Sequence, residues 1–241
     1  MQGWDWRRWT GVIGFVWVVV QVVAVVLYLV AGNPPDFGDA KKFTGWINTN
    51  SSLLMWDAFL TGIATLPLLV LFVGLRSIIR SAGEAWEWAA TLFYGAGTVT
   101  IAVLIVGSAA EATSAFVSGS GTEPTTVRAA WAATSMLLTF VYFPSAVVTG
   151  MVGYVAYKTG ILPRWLAWVS GAAAVLGLIA GLTMFGGTGG NGPIGLLPII
   201  LGALPVFVWV LALSSVLVRG SSAPSASRGS LATERSPGGQ H

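Results

Sequence analysis

Cysteine is absent from all 241 residues. Its absence removes disulfides, thiolate metal sites, iron–sulfur clusters and cysteine nucleophiles from consideration. The single histidine, His241, is the last residue and lies in a polar tail. A Ser–His–Asp triad, a histidine-ligated haem and a histidine-based zinc site therefore have nothing to be built from. Charge is scarce as well: 9% of the residues are Asp, Glu, Lys or Arg, where a soluble domain carries about 25%. A soluble fold must cover its surface with polar groups. A chain that is 55% hydrophobic with mean hydropathy +0.78 has too few of them, so most of its surroundings must be lipid. The net charge of +3 is small and reads as membrane topology rather than as a nucleic-acid footprint. No cofactor, metal or nucleic-acid partner is expected; membrane lipids are.

Long apolar runs are abundant. A helical span needs about 20 mostly apolar residues to cross about 30 Å of hydrocarbon. Six stretches qualify: 10–31, 53–75, 89–110, 129–157, 165–185 and 194–218. They are continuous rather than alternating, which excludes a β-barrel, and backbone in lipid must satisfy itself internally, so they are helices. The expected fold is an all-α, polytopic transmembrane bundle of six spans over residues 1–220. Residues 221–241, rich in Ser, Ala, Gly, Pro and Arg, are expected to form a disordered cytoplasmic tail. No soluble domain and no transporter-like internal repeat is visible.

Basic residues orient such a bundle. With six spans, one side collects Arg7, Arg8, Arg76, Arg80, Lys158, Arg164, Arg219, Arg228 and Arg235, and the other only Lys41, Lys42 and Arg128. Both termini are expected in the cytoplasm. Trp4, Trp6, Trp9, Trp86, Trp88, Trp165 and Trp168 fall at the inner boundary, and Trp46, Trp56 and Trp131 near the outer one, as an aromatic belt. Arg7-Arg8 before the first apolar run is not read as a signal peptide, because the run exceeds the usual h-region of about 7–15 residues and no small-residue cleavage site follows. The largest outer segment is Gly32 to Ser52. Phe37, Ala40, Phe43, Trp46 and Ile47 would share one face of a short helix lying on the membrane, with Lys41 and Lys42 outward; an irregular loop is the alternative.

Several motifs invite a functional reading. Gly187-Thr-Gly-Gly-Asn-Gly192 matches G-x-G-x-x-G, but the dinucleotide fingerprint needs a strand before it and a helix after it, and here it joins two spans as an outer loop. Ala173, Gly177 and Gly181 repeat every four residues and allow close helix approach, within the bundle or across a dimer. Pro67, Pro144 and Pro205 lie inside spans, where proline removes a donor and kinks the helix. Arg80, Glu84 and Glu87 form an expected solvated cluster of little energetic weight.

Asp57 is the strongest clue. It stands about one turn inside the second span, and a carboxylate in hydrocarbon costs a few kcal/mol, so such residues face a cavity or a partner. Glu111 ends the third run and Arg128 opens the fourth, at the same membrane level. Arg128 is also the only arginine on the outer side. The expectation is an outer polar cluster of Asp57, Glu111 and Arg128, in which Arg128 pairs with one or both acids. It would serve either as an ion pair pinning helices or as a ligand site.

The stretches Leu162-Pro163-Arg164-Trp165-Leu166-Ala167-Trp168, Leu197-Pro198-Ile199-Ile200 and Val218-Arg219-Gly220 resemble a group of uncharacterised bacterial six-helix membrane proteins, catalogued as a domain of unknown function. The resemblance covers mainly residues 160–220. It implies six helices and a bacterial inner (plasma) membrane, and names no active residue. Three function classes follow. The first is a non-enzymatic accessory or structural membrane protein, partnered by another membrane subunit or by a second copy of itself. The second is a small-solute or ion transporter, or a lipid-binding protein, using the outer cluster. The third is an intramembrane enzyme. A cavity reaching Asp57 would favour the second class, and a sealed ion pair the first.

Overall fold

The computed structural model describes residues 5–187, 192 and 195–220. The tail from Ser221, Trp4 and most of the Gly187–Gly192 motif lie outside the described residues, as does the expected start of the sixth span at Ile194. Among the described residues there is no strand. The helices are α1 (Trp6–Val30), α2 (Ala40–Thr49), α3 (Ser51–Arg80), α4 (Glu87–Ser118), α5 (Pro124–Phe140), α6 (Tyr142–Thr159), α7 (Arg164–Leu182) and α8 (Leu204–Gly220). Six segments are long and apolar enough to cross a membrane: Trp6–Val30, Ser51–Arg80, Glu84–Ser118, Pro124–Thr159, Arg164–Phe185 and Ile199–Gly220. The expected count of six spans is met.

Each span packs on the next in sequence, and α8 returns to α1, so the six close into a ring. The start of α1 and the end of α8 share one face, called proximal here; the face carrying α2 is distal. Gly11 lets α1 and α8 touch: a Cβ there would stand 2.8 Å from the Ser214 carbonyl oxygen. The proximal half is sealed by a large apolar core that includes Trp17, Phe72, Phe93, Leu166, Trp209 and Leu213. Trp209 Nε1 donates to Ser170 Oγ at 2.8 Å within it. A smaller cluster of Ala31, Phe43, Ile47, Leu54, Ala115, Val127 and Trp131 closes the distal end.

The helix expected within Gly32–Ser52 exists as α2, with Lys41 and Lys42 exposed and Phe43, Thr44 and Ile47 buried. Its apolar face does not lie on the bilayer, however. It packs on α3, α4 and α5 and roofs the bundle, because the distal helix ends offer Phe43 and Ile47 a closed apolar seat. Trp46 and Trp131 consequently leave the expected outer belt. They pack edge to face at 5.8 Å inside the distal cluster, and Trp46 Nε1 donates to the Ala31 carbonyl at 3.0 Å. Trp56 stays exposed, as do Trp6, Trp9, Trp88, Trp165 and Trp168 at the proximal face.

Asp39 caps α2, its carboxylate accepting from the Lys42 amide at 3.1 Å. That backbone hydrogen bond, aided by the Lys42 ammonium, holds the Asp39 carboxyl below the ordinary carboxylate range. A depressed folded-state value means the cap's contribution is full above the unfolded value of about 3.9 and fades as pH falls through the lower folded value. Hydrogen exchange should therefore show the first-turn amides of α2 opening below about pH 4, and Asp39→Asn should remove that pH dependence.

The fourth span is broken at Val141, between α5 and α6. Pro144 has no N–H for the Phe140 carbonyl and its ring crowds that carbonyl. The sixth span opens with a π-helical turn, Ile199–Ala203, just before Pro205, which leaves the Leu201 carbonyl without its helical donor. Pro67, by contrast, sits within a continuous α3.

The small-residue stripe on α7 packs inside the bundle. Gly177 faces the Tyr142 carbonyl and Ala146, and Gly181 faces the Phe143 ring. In the proximal charge cluster Arg80 pairs with Glu87 at 2.6 Å and Arg76 lies 3.8 Å from the same carboxylate. The i,i+4 partner expected for Arg80, Glu84, is bypassed, because the chain turns at Gly83, where φ is +121°, before Glu84.

Candidate functional site

Helix α3 starts at Ser51, which places Asp57 about 9 Å below the distal helix end at 1.5 Å per residue. The third span does not stop at Ala110 as the acid suggested. It continues to Ser118, so Glu111 lies about 10 Å below that end. Helices α3 and α4 are antiparallel neighbours, and the two acids thus meet at one depth. Both are buried, at 9% and 5% exposure, and their carboxyl groups lie side by side at the cavity edge. Two carboxyl groups bond to one another only when one carries a proton, since an ionised carboxylate only accepts.

Arg128 does not join them. Its Nη1 donates to the Phe37 and Gly38 carbonyls at 3.1 and 3.0 Å, and its guanidinium lies over the Phe37 ring, 5.5 Å from the centroid. Among the described residues the ion pairs are Lys42–Asp39, Arg76–Glu87 and Arg80–Glu87. The expected pairing of Arg128 with Asp57 or Glu111 is therefore corrected. Arg128 stands only about 6 Å into α5, shallower than the acids, and the loop before α2 presents it with two carbonyls and an aromatic face. It tethers the roof. Arg128→Gln should leave the spans intact and raise amide exchange in residues 36–49 by about tenfold, the effect of losing roughly 1.5 kcal/mol of charge-assisted bonding.

The carboxyl pair borders a cavity of about 240 Å³ in the centre of the ring, lined from α1, α3, α4, α5, α6 and the start of the sixth span. An engineered apolar cavity of about 150 Å³ takes up benzene, so this one has room for a larger molecule. Its aromatic lining is Trp17, Tyr28, Phe72, Trp131, Tyr142, Phe207 and Trp209. Its polar lining is Gln21, Thr61, Thr100, Thr134, Ser135 and Thr139, with Ser145 and Thr149 further in. Among the described residues no Lys, Arg or His lines it.

The hydroxyls have a shared orientation. Those of Thr100, Thr134, Ser135, Thr139 and Thr149 each donate to the carbonyl four residues earlier in their own helix, at 2.8–3.0 Å. Thr61 donates to Gln21 Oε1 at 3.3 Å. With their protons committed, these oxygens retain only acceptor capacity. Donors remain beside them: the lining also includes the Gln21 amide and the hydroxyls of Tyr28, Tyr142 and Ser145, while the indole Nε1 of Trp17 is buried with no hydrogen-bond partner.

Both backbone irregularities border this space. Tyr142 at the α5–α6 break packs its ring against Gly202 in the π-helical turn, and Ile199 and Ala203 of that turn line the cavity. Irregular backbone at membrane depth is tolerated where it is buried in protein or lines a cavity. Among the described residues, no group of three His, Cys, Asp or Glu could hold a metal ion. The sequence alone pointed to Asp57 and Glu111 but passed over Gln21, Thr134, Ser135 and Thr139. The signal for the last three was a polar stripe at spacings of one and four within an otherwise apolar helix.

No curated protein and no solved structure matches the chain. A family model does, over residues 10–213, well beyond the 160–220 stretch in which the resemblance was plainest. The match runs from the first span into the last, and the chain belongs to the family named Domain of unknown function (DUF4386).

Proposed function

We propose that the protein binds a small amphipathic solute in its central cavity and carries it into or across the membrane, acting as a transporter rather than as a structural subunit or an enzyme. The observation that carries this reading is the 240 Å³ space with a buried carboxyl pair at its edge and no basic side chain in its lining. A purely structural acid pair would be enclosed by apolar packing. Polar groups in a membrane are retained where they line a substrate or ion path, and ligand sites are concave, mostly apolar and furnished with a few convergent polar groups.

With the plasma (inner) membrane as the setting, the charge bias supports both ends in the cytoplasm: the proximal face carries Arg7, Arg8, Arg76, Arg80, Lys158, Arg164 and Arg219, and the distal face Lys41, Lys42 and Arg128. In that orientation the carboxyl pair lies toward the outside. The sealed proximal core then makes this an arrangement closed toward the cytoplasm, with α2 as its outer roof.

Native mass spectrometry of protein gently extracted from its own membrane tests the reading, beside the double variant Asp57→Asn, Glu111→Gln. A small molecule retained by the wild type and lost by an equally stable variant is the expected result. A partner subunit retained by both, with the cavity empty in each, would return the protein to the accessory class.

A further inference from the structure

We propose that the cavity is built for an organic ammonium ion, an arylalkyl amine in its protonated form, and that binding it displaces a proton from the Asp57–Glu111 pair. This rests on the reading of the cavity as a solute site and names the solute's chemistry.

The lining is one-sided. Among the described residues it holds two acids and no base, and the hydroxyls of Thr100, Thr134, Ser135, Thr139 and Thr149 have given their protons to their own helices. What such a wall lacks is a donor that carries positive charge. The titratable groups around the pair are Tyr28 on α1, Asp57 on α3, Glu111 on α4 and Tyr142 on α6. Helix α5 contributes only Arg128, which is turned to the roof, and Lys41 and Lys42 of α2 are exposed. The sixth span adds no charged residue to the lining. A carboxylate here has no cation of the protein's own, so it is neutralised by a proton or by the ligand. Those two occupants compete for the same oxygens.

Two further observations set the ligand's shape. Aromatic rings from α1, α3, α5, α6 and the sixth span line the space, and aromatic faces beside an acid are the recurring means of holding organic cations. The Trp17 ring lines the space below the acids, with its indole N–H turned into packed protein. Thr61 bonds Gln21 across α1 and α3; Asp57 is one turn above that level and Trp17 about one turn below it, so the two are roughly 12 Å apart along the bundle. An ammonium at the carboxyl end and an aryl body against the rings below it satisfy both features. Electrons stay where they are: the ammonium keeps its charge, one carboxyl proton leaves to solvent, and the pair becomes the ammonium's counter-ion.

Tyramine is a suitable probe, with its neutral isostere tyrosol, in which a hydroxyl replaces the ammonium. Binding to the full-length purified protein is measured by calorimetry in two buffers of different ionisation enthalpy and across pH 6–8. The expected result is tyramine binding at least tenfold tighter than tyrosol, with up to one proton released per tyramine and affinity rising as pH rises. The double variant Asp57→Asn, Glu111→Gln should abolish proton release. Equal binding of both probes without proton release would overturn the cation inference and leave the solute site standing. Binding of neither probe, with wild-type protein still carrying another small molecule in native mass spectrometry, would also overturn the inference alone. Binding of neither, with an empty cavity, would overturn both.

Discussion

Asp57→Asn and Glu111→Gln should each leave the protein folded, with a melting temperature equal to or above that of the wild type, while its solute binding falls by tenfold or more. The expectation follows from what an amide keeps and loses. It matches the carboxyl in shape and can still hydrogen-bond to the remaining acid, so the buried polar group stays satisfied. It cannot ionise, so the cost of holding charge in a low-dielectric interior disappears. Truncation behaves differently. Asp57→Ala leaves the Glu111 carboxyl without its partner, and an orphaned buried polar group costs about 1–3 kcal/mol. A structural role for the pair predicts destabilisation by the amide and the alanine alike. A binding role predicts loss of ligand with both and loss of stability with the alanine only. Thermal unfolding in detergent read beside ligand retention separates the two.

Gly11→Leu should be the most disruptive single substitution. Gly11 lies on α1 where α8 closes the ring, and a Cβ there would meet the Ser214 carbonyl oxygen at 2.8 Å and Leu217 Cβ at 3.1 Å. The first obstacle is backbone and cannot turn away. A leucine also adds three carbons beyond Cβ, forcing the helices apart. Overpacking typically costs about 1–3 kcal/mol and occasionally more, and here it also opens the seam through which spans one and six enclose the cavity. The expected outcome is protein that inserts but aggregates or loses its cooperative melt on extraction. Gly95→Leu is the matched control. It faces outward on α4 with nothing within 4 Å of its Cβ position, and replacing a helical glycine there gains up to about 1 kcal/mol of helix propensity. Size-exclusion profiles of the two variants should diverge accordingly.

The spans were legible because hydrophobic length in lipid is a blunt requirement, and six continuous runs satisfy it without competition from other folds. Their ends were less so. Glu111 looked like a boundary because acids mark boundaries in most spans, yet α4 passes it by seven residues and buries it against Asp57. The meeting of these two acids was readable from depth alone, since antiparallel neighbours bring equal depths together. The partner of Arg128 was not. Two backbone carbonyls at Phe37 and Gly38 leave no trace in residue identity, whereas an acid at a similar level does.

The role of α2 was half visible. Its amphipathic pattern announced a helix, but an apolar face against lipid and an apolar face against a bundle read the same in one sequence. The cavity itself was hidden because much of its polar lining is dispersed: Gln21, Thr61 and Thr100 come from three separate spans, and only the α5 residues Thr134, Ser135 and Thr139 form a stripe. Of the three span prolines Pro67 leaves its helix continuous, and only the assembled fold shows that the breaks near Pro144 and Pro205 face one another across Tyr142 and Gly202.

The absence of cysteine makes the central claim directly measurable. Ser135→Cys and Thr61→Cys place thiols in the cavity lining, and Ala90→Cys places one in the fully buried proximal core. Each variant is treated with a small, water-soluble ammonium methanethiosulfonate in sealed membranes. A solute cavity predicts modification of Cys at 135 and 61, slowed by a bound ligand, and no reaction at 90. Thiols at 135 and 61 as inert as the one at 90 would mean that no solute reaches the Asp57–Glu111 pair, and the acids would then be helix fastenings.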